Sequence, residues 1–181
     1  FKIYGFDTGS GLPTPTDSKD QEYFWPKGSF SMDLIALRKR LNRSELVLGD
    51  VRETVSSFFE KFTPPSIGFV SFDLDYYSST KAAFAIFNSQ QGNYLPRVEC
   101  YMDDVSSFEV LSACEGTGVL KAIAEFNDES ETKIYKKEQV SRFRHFKMGW
   151  NDCMYVHHDF SHGRYNEFVG QSYSMNLDLN K

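Results

Sequence analysis

Four aspartates sit in two short clusters, each directly after an apolar, strand-like run. The first cluster is Asp73-Leu74-Asp75-Tyr76-Tyr77-Ser78-Ser79-Thr80, which follows residues 67–72; the second is Asp103-Asp104, which follows residues 98–102. If the two runs are neighbouring parallel strands, both clusters emerge at the same carboxyl edge of one sheet, where open α/β folds bind ligands. Four carboxylates gathered there repel one another strongly unless a cation sits among them. Ligands that are all oxygen suit a hard divalent ion, magnesium first. Asp7, Asp50 and Asp73 each close a predicted strand. A strand-terminal carboxylate is the usual partner of a ribose hydroxyl in dinucleotide-type folds, so a series of them points to a nucleoside-bearing cofactor.

The elements that must position these residues alternate along the chain. Strands are predicted over residues 1–6, 46–49, 67–72 and 97–102, with a closing pair over 132–135 and 153–160. Helices are predicted over 32–41, 51–62, about 80–87 and 118–126, with Ser78-Ser79-Thr80 offering N-cap side chains to the third. In the fourth, Leu120, Ile123, Ala124 and Phe126 are expected inside, and residues 91–96 read as a turn. This order implies a mostly parallel sheet with helices on both faces and right-handed crossovers. Residues 8–28 form a long irregular insertion, rich in turn formers and carrying Tyr23-Phe24-Trp25-Pro26; such insertions are usually functional or mobile. Residues 161–181 read as a polar extension to a domain covering 1–160.

A chain of 181 residues is one domain's worth and long enough to bury a core. With 40% hydrophobic and 25% charged residues it has the composition of an ordinary soluble protein. Aromatics reach 16%, which implies a Phe-rich core or a stacking surface for a planar or sugar ligand. The net charge of −5 argues against nucleic acid as partner. Cys100, Cys114 and Cys153 are odd in number and widely spaced, which suits a reducing compartment rather than a disulfide framework or zinc site. No apolar run reaches membrane-spanning length and no signal peptide is visible, so a cytoplasmic location without membrane association is expected. The chain opens on Phe1, in the middle of a strand, and upstream residues are expected to be missing.

Several segments together resemble the macrocin O-methyltransferase family: Gly5-Phe6-Asp7-Thr8 with Gly11-Leu12-Pro13, Leu48-Gly49-Asp50 with Glu53-Thr54-Val55, Asp73-x-Asp75-x-Tyr77-x-Ser79-Thr80, and Asp103-Asp104. The resemblance spans about residues 1–160. It implies a class I, S-adenosylmethionine- and magnesium-dependent enzyme that methylates a sugar-like hydroxyl of a small-molecule acceptor. The implied fold is a Rossmann-like sheet with an antiparallel last strand, whose central first strand and glycine-rich loop have no counterpart here. Carried over residue by residue, the metal ligands fall on Asp73, Asp103 and Asp104, and the general base on Asp75. Asp7 would meet the cofactor ribose, and Asp50 lies where the adenine is bounded. Leu74 departs from the glycine common in relatives, which bears on how the acceptor approaches. A homo-oligomer is compatible with this reading.

Plainer roles compete at each position. Asp103-Asp104 and Asp75 could cap turns or helices, and Asp50 could simply start the helix at Val51. Tyr76 and Tyr77 suit core or rim, one of His157 and His158 suits the core and the other solvent, and His145 and His162 fall in loops. Trp25 and Trp150 are candidate acceptor walls. Among other functions, a glycosyltransferase holding a nucleotide sugar through manganese at an Asp-x-Asp fits the aspartates. An Asp-x-Asp phosphatase fits less well, because Tyr77 stands where that motif needs Thr or Val. A methyltransferase-like binding module without turnover also fits.

Overall fold

The computed structural model describes residues 2–105, 114–138 and 148–168, which alternate strands and helices as the hydrophobic pattern requires. Strand β1 (Ile3–Asp7) pairs in parallel with β2 (Ser44–Leu48), from Ile3 opposite Ser44 to Asp7 opposite Leu48. A second sheet has the spatial order β3-β4-β6-β5, built from β3 (Ile67–Phe72), β4 (Tyr94–Met102), β5 (Lys133–Lys136) and β6 (Met154–His158). Strands β3 and β4 run parallel, whereas β6 is antiparallel to both of its neighbours. The reversed last strand is therefore present. Among the described residues no strand pairs with the second edge of β1 or of β3.

The two sheets share one core. Val47 and Phe58 belong to the same buried cluster as Phe72, Phe84, Val98, Met102 and Phe126. Much of the aromatic content sits here: Phe58 contacts the rings of Tyr4, Phe6, Phe59 and Phe62, and Phe84 lies between Phe72 and Phe126. Each such ring buries a large apolar area and gains a little more from edge-to-face contact. Along β4 the period-2 pattern is plain, with Tyr94, Pro96, Val98, Cys100 and Met102 buried and the alternate positions half-buried. The alternate face is the open one, for Phe69 on β3 and Tyr135 on β5 are 58% and 50% exposed.

Four sequence expectations need correction. Residues 91–96 are not all turn, because β4 begins at Tyr94 and carries Pro96 within it. Proline gives no N–H to a ladder, and the register of β4 against β3 is broken at that point; the Pro96 carbonyl instead accepts the Asp159 N–H at 3.0 Å. The single helix expected over 51–62 is two, α2 (Val51–Thr54) and α3 (Phe58–Phe62). Between them Ser56 and Ser57 turn their hydroxyls back onto the carbonyls of Glu53 and Thr54, competing with the helical ladder. Helix α4 (Tyr77–Ala83), continued as a 3₁₀ turn to Asn88, is capped by none of its own first residues. Ser78 gives its N–H and hydroxyl to Asp20, which lies in the irregular insertion. In α5 (Gly118–Glu129) the buried stripe is Val119, Ala122, Ile123 and Phe126, so Leu120 and Ala124 are only half-buried.

Helix α1 (Leu34–Arg40) starts on an Asp33 cap that accepts the N–H groups of Ile35 and Ala36. Before it, residues 12–29 form a strap closed at its neck by Leu12 N–H to Ser29 O (2.8 Å) and Gly28 N–H to Leu12 O (2.9 Å). Gly11 sits at that neck with φ of +88°, and a Cβ there would lie 2.5 Å from the carbonyl oxygens of both Gly28 and Ser29. Gly11→Ala is accordingly expected to destabilise the fold by about 1–2 kcal/mol and to open the strap to limited proteolysis; cleavage at the parent's rate would contradict this. Residues 161–168 fold back on the sheet, where Arg97 donates to the carbonyls of Tyr165 and Glu167. His145 and residues 169–181 lie outside the described residues.

Candidate active site

Because β1 and β2 are parallel, as are β3 and β4, the segments leaving their carboxyl ends can meet. They do so around one cavity of roughly 510 Å³. Its wall takes Asp7 and Thr8 after β1, Gly49 and Asp50 after β2, Asp73, Leu74 and Asp75 after β3, and Asp103 and Asp104 after β4. Trp25 and Leu12 of the strap, with Phe30 and Met32, add an apolar side. Among the described residues no basic side chain lines it.

Asp73, Asp75 and Asp104 each present a carboxylate oxygen, and the three oxygens lie within 4.8 Å of one another. The turn that brings Asp75 in is tight. Tyr76 N–H bonds back to Leu74 O, and Asp75 between them has φ of +57°, the rarer hand of a three-residue turn. Aspartate is one of the few residues that tolerates this region. Its own N–H donates to Asp104 Oδ2 at 3.1 Å, so strand ends β3 and β4 are tied directly. Asp103 is turned differently, with its Oδ1 accepting the Tyr101 hydroxyl at 2.8 Å. It remains close enough that its charge raises the pKa of Asp73.

Burial and mutual repulsion act together on this group. Loss of water, then the charges of Asp104, Asp73 and Asp103, push Asp75 up to about 7. Desolvation, with repulsion from Asp73 and Asp103, lifts Asp104 to about 6 despite the Asp75 N–H bond that lowers it. Asp73 is raised by desolvation first and Asp103 second. Such a set holds its charge poorly without a cation. Hard oxygen donors converging in this way fit a divalent ion such as magnesium.

The remaining expected residues divide. Asp7 lines the cavity and turns Oδ1 to the Gly9 N–H. Asp50 also lines it, but its carboxylate caps α2 through the Arg52 N–H and is gripped by the Arg52 guanidinium, which together hold its pKa low. Trp25 is on the cavity wall; Trp150, 43% exposed in a 3₁₀ turn, is not. Tyr76 and Tyr77 are buried, the latter giving its hydroxyl to Glu125 at 2.6 Å. His157 is fully buried against Phe87, His158 pairs through Nδ1 with the Tyr165 hydroxyl, and His162 lies against the Gln91 carbonyl. Cys100 and Cys153 are buried and Cys114 is exposed, and none of the three is in a disulfide. No helix among the described residues is long and apolar enough to cross a membrane.

Sequence reasoning missed Asp20, Arg52 and Tyr101. Tyr101 was within reach, since residues two apart on a strand share a face. Asp20 and the strap contact of Arg52, which reaches Thr14 O and Thr16 Oγ1, are long-range and left no local signal.

No protein-family model matches the chain, and no curated protein matches it. Solved structures do resemble it, two of them as follows. Calicheamicin methyltransferase CalS11 is 23% identical with a TM-score of 0.54, over 86% of this chain and 59% of that one. The O-methyltransferase NovP is 14% identical with a TM-score of 0.52, over 71% of this chain and 52% of that one. The chain thus spans between half and three-fifths of their lengths. At this identity the likeness concerns architecture: the chain has the α/β fold of the class I methyltransferases.

Proposed function

We propose that the protein, with whatever sequence accompanies this chain, is an O-methyltransferase that uses S-adenosylmethionine and magnesium to methylate a hydroxyl of a sugar-like or polyhydroxylated small molecule. The observation that carries this reading is the convergence of Asp73, Asp75 and Asp104, with Asp103 beside them, at the carboxyl edge of a methyltransferase sheet. In it Asp73, Asp103 and Asp104 would hold the cation, Asp7 would meet the cofactor ribose and Asp50 would bound the adenine. The same aspartates read as a glycosyltransferase motif gain no support from the fold.

S-adenosylmethionine supplies an electrophilic methyl group on a sulfonium, and bound magnesium would lower the pKa of a coordinated hydroxyl. The residues of the chain do the rest. A cavity this rich in carboxylates would attract a cationic sulfonium and a divalent ion alike. Asp75, whose burial, the largest cause of its raised pKa, would persist with a cation bound, would accept the hydroxyl proton as a stronger base than an ordinary carboxylate. Trp25, Leu12 and Met32 would offer the reactants an apolar wall and help hold oxygen, methyl and sulfur in line. Leu74 lines the cavity between Asp73 and Asp75 and would limit how closely the acceptor comes.

Calorimetry of the intact gene product with S-adenosylmethionine, with and without magnesium, coupled to methyl transfer onto polyol acceptors, tests the reading. Cofactor binding and cation-dependent transfer that a chelator abolishes are expected. Undiminished transfer in excess chelator, or binding of nucleotide sugars and no affinity for S-adenosylmethionine, would overturn it.

A further inference from the structure

The strap is bound to the catalytic edge by buried polar contacts that its composition did not announce. Asp20 has no exposed surface and accepts four hydrogen bonds. Oδ1 takes the Ser78 N–H at 2.7 Å, and Oδ2 takes the N–H groups of Thr16 (2.8 Å) and Asp17 (3.1 Å) with the Ser78 hydroxyl at 2.9 Å. Tyr76, also without exposed surface, donates its hydroxyl to the Trp25 carbonyl at 2.7 Å. Both ties land on residues 76 and 78, immediately after Asp75. Between them the strap holds a half-buried Trp25 indole on the cavity wall, braced by Phe24 at 4.8 Å and Phe30 at 5.9 Å. Trp25 also borders, with Asp75 and Asp104, a second small crevice.

We propose that Trp25 is the platform on which the acceptor rests an apolar ring face, and that Asp20 and Tyr76 are positioning residues that hold this platform against the carboxylates. The proposal rests on the methyltransferase reading and assigns the acceptor a shape: hydroxyls toward Asp73, Asp75 and Asp104, carbon–hydrogen face toward the indole. An ionised carboxylate suits Asp20 because all four partners are donors. In Asp20→Asn the amide nitrogen must face at least one N–H or O–H, so a tie is lost with almost no change in shape. Tyr76→Phe removes the other tie alone.

This chain has two tryptophans, so a Trp150→Phe background, with any tryptophan of the accompanying sequence likewise changed to Phe, leaves Trp25 as the reporting indole. Acrylamide quenching of its fluorescence then reports the strap whether or not an acceptor is known. Quenching constants about double those of the parent are expected in both Asp20→Asn and Tyr76→Phe, because a tie worth a tenfold shift in population is broken. With methyl pyranosides as acceptors, the variants should raise KM about tenfold and leave kcat within about threefold, the split expected when ground-state binding alone is lost. Unchanged quenching in both variants, or a fall in kcat with KM unmoved, would overturn the proposal. Should Asp20→Asn fail to fold, Tyr76→Phe decides by the same two measurements. Absence of any methyl transfer by the parent, with quenching increased in both variants, would sink the methyltransferase reading and leave the positioning of Trp25 standing.

Discussion

If the protein is the O-methyltransferase proposed above, with Asp75 as its base, an Asp75→Asn variant is expected to lose roughly 100- to 10,000-fold of the methyl-transfer rate, while folding more stably than the parent in metal-free neutral solution. The two effects have one origin. Asp75 is pressed into a cluster with Asp104 and Asp73, and water is scarce around it, so its carboxyl is held up at about 7. That makes it a fitter proton acceptor and a worse neighbour. An acid whose folded pKa exceeds its unfolded value of 3.8 contributes its stability below the latter, and that contribution is lost as pH rises through about 7. The amide removes both the charge and this loss, so the stability gap between variant and parent should open between pH 4 and 7 and stay open above. Asparagine is the right probe because it tolerates φ of +57°, where alanine would add strain of its own. Magnesium should shrink the gap, since a bound cation relieves the same repulsion in the parent. The measurements are kcat/KM with cofactor saturating, and thermal melts from pH 5 to 8 with chelator or magnesium. A parent-like rate, or a variant less stable at pH 7.5 in chelator, would remove Asp75 from the role.

What the sequence revealed of this site was local, and what it hid was not. The runs at 67–72 and 98–102 are apolar, rich in β formers and followed at once by acids, so pattern alone put Asp73 and the Asp103-Asp104 pair at strand ends. Their meeting at one edge then followed from parallel pairing, which β3 and β4 show. Boundaries fared worse wherever a side chain competed with the backbone, as at Ser56 and Ser57, or where the ladder broke register, as at Pro96. The stripe of α5 was legible as the i, i+3, i+4, i+7 series from Val119, but a second apolar series starting at Leu120 obscured its phase. Asp20 could not be read at all. The Asp17–Asp20 spacing marks a local capping box, yet the partner that gives Asp20 its importance lies 58 positions away. The same holds for the Trp25 carbonyl and Tyr76, 51 positions apart. Tertiary contacts of this range are set by how the insertion packs, and nothing in the insertion itself records its target.

Acidification should expose a second buried group, His157, at a cost of about 3 kcal/mol by pH 4. Its ring has no exposed surface and lies stacked on Phe87 at 3.8 Å, edge-on to Tyr94 at 5.5 Å. Neither ring nitrogen has a hydrogen-bond partner among the described residues. Burial therefore drives its pKa down to about 4, with Asp159 opposing and His158 assisting. The unfolded chain binds the proton near 6.5, so between about 6.5 and 4 the unfolded state holds more protons than the fold, and stability falls as pH falls. The parent's own profile mixes this with Asp75 and Asp104, whose raised pKa values act in the opposite sense over much of the same range. The clean measurement is thus a difference: unfolding free energy of His157→Phe minus that of the parent, by denaturant melts from pH 7.5 to 4. Phenylalanine keeps the aromatic stack and cannot take a proton, although its larger ring adds a constant offset from repacking. That offset should be flat above pH 7, and below it the difference should climb toward the variant's favour by about 3 kcal/mol. A difference that stays constant down to pH 4 would mean that His157 takes up its proton inside the fold, against the desolvation that its packing on Phe87 and Tyr94 imposes.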